Sequence, residues 1–252
     1  MNAFSPWCPP PKTLTLGNDE VHVWRASLNL PASYIFPLQQ TLAPDECARA
    51  ERFHFQRDRD RFIVARGGLR DILSRYLNTK SDQLRFCYNS HGKPALARKA
   101  NHGELGFNLA HSHELALYAI TRGREVGIDL ERIRSNLVDE QIAERFFSPR
   151  EVVVLRGLPM YQQREAFFNC WTRKEAYVKA KGQGLSIPLD QFDVSLAPGE
   201  PAALLSTQWH PQEASRWSLQ KLNPGCGYVA ALAVEGHDWQ VECWQWSADY
   251  PF

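Results

Sequence analysis

Three acidic residues and one lysine have the types and spacing needed for chemistry on a charged substrate. Asp129 and Glu131 lie two positions apart, and Glu175 lies four positions before Lys179. Three carboxylates without a nearby cysteine or histidine pair are hard oxygen ligands, which suit Mg²⁺ better than zinc or copper. Because protein-bound Mg²⁺ usually also binds phosphate oxygens, these residues predict a magnesium site that acts on a phosphate-containing substrate.

A predicted strand positions the first two acids. Side chains alternate along a strand, so Asp129 and Glu131 project from one face about 7 Å apart, while Ile128 and Leu130 share the other. An apolar run at residues 115–120 and a glycine-containing turn come directly before this strand. Together these features predict a β-hairpin in which Asp129 lies opposite Leu117 and Glu131 opposite Leu115, so that both acids lie toward the strand end where His111 enters.

A predicted helix from about residue 162 to 181 positions the third acid and the lysine. Trp171, Glu175 and Lys179 follow one another at intervals of four, so they lie along one side, and Lys174 lies on a neighbouring stripe. The carboxylate and ammonium groups could therefore share a cleft. The alternative is a surface Glu–Lys pair, which contributes about 0.3 to 0.5 kcal/mol.

Two cationic residues of the first half are candidates for holding phosphates. Lys93 lies on a Gly-Lys-Pro turn, where glycine lets the backbone approach a ligand, although the same tripeptide also occurs in plain loops. His111 comes just before the buried strand at residues 115–120, and its alternative role is that of a structural histidine.

An arginine-rich amphipathic helix is a further candidate. Eight arginines lie between Arg49 and Arg75, and apolar residues recur there at helical spacing. Arg59, Arg66 and Arg70 share one stripe, so several guanidinium groups could face one anion. The alternative is a solvated face on which the arginines pair with nearby aspartates, namely Asp58, Asp60 and Asp71.

Composition limits the class of protein. The 252 residues, 44% hydrophobic and 23% charged, can form one large or two small domains. Net charge is +1, but residues 1–126 carry +5 and residues 127–252 carry −4, which suggests an anionic ligand held by the first half, although solvated surfaces also give such asymmetry. The near-zero net charge disfavours nucleic acid as a partner.

Other signals concern location and redox state. No apolar run approaches the roughly 20 residues of a membrane helix, and the first residues lack the basic and apolar regions of a signal peptide, so we expect a cytoplasmic protein. Six cysteines are scattered without a C-x-x-C pair, which indicates reduced thiols. The chain also lacks a P-loop, a Rossmann fingerprint and a nucleophile elbow.

The pattern of elements predicts an α+β protein. Both halves contain strands and at least one long helix, which favours two similar α/β lobes, at residues 1–125 and 126–252. In the second half, Ser148, Pro149 and Glu151 form the capping pattern of a helix start.

Three segments together resemble the 4'-phosphopantetheinyl transferases of the large, monomeric, surfactin-synthetase-activating (Sfp) type. These segments are FNLAHS at 107–112, GIDLE at 127–131 and WTRKEAYVKAKGQGL at 171–185, and the resemblance extends from about Pro44 to Val194. It implies two lobes related by a pseudo-twofold axis, with coenzyme A in the cleft between them. The implied reaction moves the phosphopantetheine arm of coenzyme A to a serine of an apo acyl, peptidyl or aryl carrier protein, releasing adenosine 3',5'-bisphosphate.

The resemblance also implies roles for single residues. The family's magnesium acids are matched by Asp129, Glu131 and Glu175, and the lysine near its pyrophosphate by Lys179. Residues that match or approximate its coenzyme A contacts are Lys93, His111, Arg49, Arg61 and Arg66. The carrier serine needs a base, and Glu175 is the candidate, acting directly or through a metal-bound water.

Two departures from the family pattern stand out. Ala110 replaces the serine that often precedes the motif histidine, and Glu46 stands near an expected lysine. Two other functions stay open: a non-catalytic module that binds coenzyme A or carrier proteins, and an unrelated Mg²⁺-dependent phosphotransferase. Carrier-docking candidates are Phe146, Phe147 and Arg150, with a core position as the alternative for the two phenylalanines.

Overall fold

The computed structural model describes residues 7–97, 105–133 and 140–249. The strands are Glu20–Ser27 (β1), Phe86–Tyr88 (β2), Pro94–Leu96 (β3), Leu105–Ser112 (β4), Leu115–Arg122 (β5), Val126–Arg132 (β6), Phe192–Val194 (β7), Leu204–Thr207 (β8), Trp217–Leu222 (β9), Tyr228–Glu235 (β10) and Gln240–Gln245 (β11). The helices are Ala32–Gln40 (α1), Pro44–Glu51 (α2), Gln56–Leu77 (α3), Glu140–Phe146 (α4), Pro149–Gly157 (α5) and Met160–Lys181 (α6). This mixture of helices and largely antiparallel sheets confirms the predicted α+β class.

Two sheets carry most of the fold. The first has the order β11-β1-β5-β4, and the second has the order β6-β10-β9. Within the first sheet, β11 runs parallel to β1, with Val23 beside Cys243, so the last described strand of the chain completes the sheet of the first half. Two short hairpins, β2-β3 and β7-β8, lie outside these sheets.

Alternating side chains sort the molecule into four layers: helix, sheet, sheet and helix. On β5, Tyr118 belongs to the core under α3, whereas Leu117 belongs to a core between the two sheets. On β10, Leu232 points into that same middle core, whereas Ala231 belongs to the core under α6. The same alternation on β6 turns Ile128 into the middle core, together with Leu130, and leaves the intervening positions to face α6.

The predicted hairpin is wrong. In the described part of the chain, β6 pairs with β10 and not with β5, so Asp129 lies opposite Ala231 rather than Leu117. The reason is that both edges of β5 are occupied, by β1 on one side and β4 on the other. The connection between β4 and β5 is a tight turn in which His113 has a left-handed φ of 54°.

The helix predictions are confirmed more closely. Helix α6 begins two residues before the expected start and ends at Gly182, whose φ of 66° terminates it. Ser148 accepts a hydrogen bond from the backbone N–H of Glu151, and Glu151 accepts one from Ser148 in return, so the predicted capping box starts α5.

No helix in the described ranges is both long and apolar enough to cross a membrane. All six cysteines are free thiols.

Candidate active site

Asp129 lies on the face of β6 opposite Ile128 and Leu130, as the alternation predicted, and this face is turned to helix α6. Asp129 is buried, and its Oδ1 accepts a hydrogen bond from Lys179 Nζ at 2.6 Å. Its other oxygen, Oδ2, is also buried and accepts no hydrogen bond from the described residues. One half of this carboxylate is therefore engaged by an internal ammonium, and the other half lacks a partner.

The third acid lies within the field of the other two. Burial raises the pKa of Glu175, and the negative charges of Asp129 and Glu131 raise it further, against the opposing charge of Lys179. Burial lowers the pKa of Lys179, but Asp129, Glu175 and Glu131 outweigh that effect, so the pKa lies above its ordinary value. The structure thus brings all four predicted residues into one electrostatic cluster.

The donor set fits a hard divalent cation. It consists of carboxylate oxygens alone, one of them a buried atom without a partner, and the acids repel one another, which a cation would relieve. The positions of the side chains do not yet form such a site, because among the described residues no three His, Cys, Asp or Glu side chains are placed so that together they could hold a metal ion. Asp129, Glu131 and Glu175 are a candidate metal site on the chemistry of their oxygens alone.

Strand β4 reaches the same cluster through two side chains. Asn108 accepts a hydrogen bond from the backbone N–H of Ile128 at 2.9 Å, and Ser112 donates one to Glu131 at 3.1 Å. These contacts join the first sheet to β6 by side chains instead of a backbone ladder. Both residues lie in the FNLAHS segment, but nothing in their spacing revealed this role.

His111 lies between these two contacts, on the first sheet. The residue is exposed to solvent on one side. Burial of the rest of the ring lowers the pKa of His111, and the positive charges of Lys179 and Arg49 lower it further. The ring therefore stays neutral near pH 7 until an anion comes close, and then both its nitrogens can become donors.

Two hollows flank His111 and the acids. One, of about 260 Å³, is lined by residues from both halves, including Lys93, Asn108, Glu175 and Lys179. The other, of about 330 Å³, is lined by His111 and Arg61 together with residues such as Phe53 and Arg57. The first hollow therefore lies between the two halves and has both a carboxylate and ammonium groups in its wall, whereas the second hollow is lined by the first half alone.

Arg61 and Arg49 are two cationic residues of the first half. Arg61 donates to Asn29 at 2.9 Å and lies 3.5 Å from Glu114, so its guanidinium is held beside His111 by weak partners. Arg49 lies over the ring of Phe62, with its guanidinium carbon 5.5 Å from the ring centre.

Lys93 makes a different contact from the one its sequence suggested. Its ammonium donates to the carbonyl oxygen of Ala180 at 2.8 Å and pairs with Glu125 at 2.9 Å. Asn89, four residues earlier, donates to the carbonyl oxygen of Gly182. The turn between β2 and β3 therefore caps the C-terminal end of α6, and Lys93 remains at the edge of the hollow.

Two of the three arginines on the predicted stripe, Arg66 and Arg70, converge on one anion, but that anion is internal. Glu46 receives Arg66 at 2.7 Å and Arg70 at 2.6 Å, and all three side chains are buried. Arg66 also donates to Tyr88, which ties β2 to α3. Arg66 is therefore not brought to the acids of β6 and α6, and Glu46, where a lysine was expected, is the reason.

Lys174 is not in the cleft either. Its fully buried ammonium contacts Glu151 at 2.8 Å and the carbonyl oxygens of Leu189 and Phe192. The predicted offset of Lys174 from the line of Glu175 and Lys179 is confirmed, because its stripe of α6 faces the core.

The three candidate docking residues differ in how far they are exposed. Phe147 is in the core, Phe146 is half-buried with its ring edge on Trp171, and Arg150 is exposed.

Comparison with known proteins finds a family match in each half of the chain. Residues 125–234 match the family described as the 4'-phosphopantetheinyl transferase superfamily. Residues 30–122 match a second description, 4'-phosphopantetheinyl transferase, N-terminal.

Individual relatives carry related names. The chain is 46% identical to the 4'-phosphopantetheinyl transferase HetI of Nostoc sp. (strain PCC 7120), over 95% of this chain and 98% of that protein. It is 30% identical to the 4'-phosphopantetheinyl transferase Sfp of Bacillus subtilis (strain 168), over 62% of this chain and 66% of that protein. Among solved structures, holo-[acyl-carrier-protein] synthase of Thermotoga maritima aligns with a TM-score of 0.37 and 22% identity, covering 44% of this chain and 62% of that one.

Proposed function

The chain belongs to the 4'-phosphopantetheinyl transferase superfamily, and we propose how its own residues carry out the reaction of that family. It is an enzyme that transfers the 4'-phosphopantetheine group from coenzyme A to a serine of an apo carrier protein. The observation that supports our assignment of residues is Asp129, with Lys179 on one oxygen and no partner on the other, beside cations of the first half.

We propose that the chain forms two lobes, residues 1–125 and 126–252, and that each lobe supplies a different part of the site. The first lobe supplies contacts to the phosphates and adenine of coenzyme A, chiefly through His111, Arg61 and Arg49, with Lys93 at the edge. The 330 Å³ hollow beside His111 and Arg61 supports this arrangement. Arg66 takes no part in it, because its guanidinium is held in a buried ion pair with Glu46.

The second lobe supplies the acids. Asp129, Glu131 and Glu175 would hold Mg²⁺, which when bound neutralises the charge of the pyrophosphate oxygens. Lys179 contacts the same pyrophosphate from the side of α6. Positioning and charge neutralisation are the main sources of catalysis in such a site.

Glu175 acts as the base. The serine Oγ attacks the phosphorus next to pantetheine, its proton passes to the Glu175 carboxylate, and the bond to the adenosine bisphosphate breaks. In the metal-free protein, burial and the neighbouring acids raise the pKa of this carboxylate.

The enzyme works as a monomer in the cytoplasm. A single chain holds both the cationic and the acidic parts of the site, and six free thiols support a reducing compartment.

The test is an incubation of the protein with Mg²⁺, coenzyme A and an apo acyl carrier protein, followed by intact-mass analysis of the carrier. We expect a gain of one phosphopantetheine group, abolished by Asp129→Ala or by chelation. Asp190→Ala, which removes an exposed acid of the same half, is the matched control and keeps the activity.

Other outcomes identify other functions. Coenzyme A binding without transfer to any carrier would indicate the non-catalytic module. Transfer that survives both chelation and Asp129→Ala would rule out the metal site proposed here.

A further inference from the structure

The ion pair of Lys179 and Asp129 lies where a metal ion would have to bind. We propose, on the basis of the proposed metal site, that Lys179 is a built-in counter-ion of that site. It neutralises Asp129 in the ligand-free protein and leaves Oδ1 when a divalent cation arrives, turning to the pyrophosphate of coenzyme A.

The contact geometry places the two cations in competition. Lys179 Nζ lies 2.6 Å from Asp129 Oδ1, a short charge-assisted hydrogen bond, and this carboxylate is 7% exposed. A dication bound to so confined a carboxylate would lie within a few ångströms of the ammonium. Because like charges at that distance repel strongly inside a protein, both cations cannot hold Asp129 equally well.

The Lys179 side chain has open space next to it into which its ammonium group can move. Its side chain is 31% exposed, far more than that of its partner, and it lines the 260 Å³ hollow beside Asn108 and Gly182. A lysine side chain is a flexible stem with three donors, so a modest rotation can move the ammonium from the buried carboxylate to an anion in the hollow.

This exchange would couple the affinity for the metal ion to the affinity for coenzyme A. The metal ion alone must displace Lys179 from its partner, which lowers its affinity for the free protein. When coenzyme A is present, its pyrophosphate gives the ammonium a new partner, so each ligand increases the affinity for the other.

Lys179→Met tests this exchange, because methionine keeps most of the stem and removes the charge. We expect Mn²⁺, used as a paramagnetic probe and titrated without coenzyme A, to bind Lys179→Met at least about tenfold more tightly than wild type. Lys221→Met is the matched control: it removes another lysine that pairs with a glutamate of α6, Glu165 at 2.7 Å, and leaves Mn²⁺ affinity unchanged. Equal or weaker Mn²⁺ binding by a folded Lys179→Met protein would overturn the proposal.

A second titration measures the coupling. Coenzyme A should increase the Mn²⁺ affinity of wild type by a larger factor than that of Lys179→Met, and equal factors would contradict the exchange. Asp129→Asn separates the two proposals. If Mn²⁺ binding depends on Asp129 but not on Lys179, only the exchange fails, and if Mn²⁺ binds no variant, the proposed metal site fails with it.

Discussion

Gly127 faces helix α6 so closely that a Cβ atom in its place would lie 2.1 Å from the carbonyl oxygen of Ala176 and 2.3 Å from the backbone nitrogen of Ala180. These are backbone atoms, which cannot rotate away. The missing side chain lets β6 and α6 approach until Asp129 meets Lys179, two positions further along the strand.

Gly127→Ala should therefore separate β6 from α6. We expect the unfolding free energy to fall by about 3 kcal/mol, the upper end for overpacking, and the transfer rate to fall with it. Urea unfolding gives the first quantity. Gly157→Ala is the control, since a Cβ at that exposed helix end meets no atom within 4 Å among the described residues. Equal stability of the two variants would contradict the close packing.

Lys174 should matter for stability and not for substrate binding. Removing its ammonium leaves Glu151 as an uncompensated buried charge, so Lys174→Ala should cost about 3 to 5 kcal/mol in the unfolding free energy. Arg156→Ala, which breaks an exposed pair with Glu144, should cost about 1 kcal/mol or less. The fraction of Lys174→Ala that stays folded should keep the wild-type KM for coenzyme A. A large rise in that KM would show that Lys174 contributes to substrate binding and would contradict a purely structural role.

Glu175→Gln tests the base. Loss of the proton acceptor should slow single-turnover transfer by at least about 100-fold at saturating Mg²⁺. Stability should not fall, because the neutral amide removes a charge that burial and two neighbouring acids disfavour. Glu165→Gln, on the same helix and paired with Lys221 at the surface, is the control. Wild-type turnover and metal dependence in Glu175→Gln would exclude the base role.

Glu213 makes part of the fold sensitive to acid. Burial opposes its charge, but hydrogen bonds from Lys181, Trp217 and Tyr177 outweigh burial and hold its pKa below the ordinary value. Its contribution to stability is therefore complete above the pKa of the unfolded chain and is lost as pH falls through the folded value.

Glu213→Gln should be less stable than wild type by about 2 kcal/mol at pH 7, and the stabilities of the two proteins should converge as the pH falls through the folded pKa of Glu213. Thermal unfolding over that pH range measures the difference. A difference that stays constant with pH would show that the charge of Glu213 is not responsible.

Local rules predicted much of this site. Strand alternation correctly set Asp129 apart from Ile128, and helical spacing correctly put Glu175 and Lys179 on one side of α6. Both rules depend only on the geometry of a single element, which its own residues determine.

The remaining features depend on distant partners. The hairpin prediction failed because the edges of β5 are filled by β1 and β4, and Lys174 is drawn into the core by Glu151, 23 positions earlier. Arg66 is held in an ion pair by Glu46. The sequence shows that residue 46 is a glutamate, but it does not show that this glutamate is buried. Such pairings are set by tertiary packing, which spacing along the chain does not record.

The parallel pairing of β11 with β1 joins segments about 220 positions apart, with Glu20 beside Gln240. During synthesis on a ribosome, the edge of β1 that pairs with β11 stays uncovered until the roughly 200 residues between the two strands and β11 itself have been made. A nascent chain arrested before β11 would expose that edge, so we expect the first sheet to reach native protection from hydrogen exchange only after β11 has left the exit tunnel.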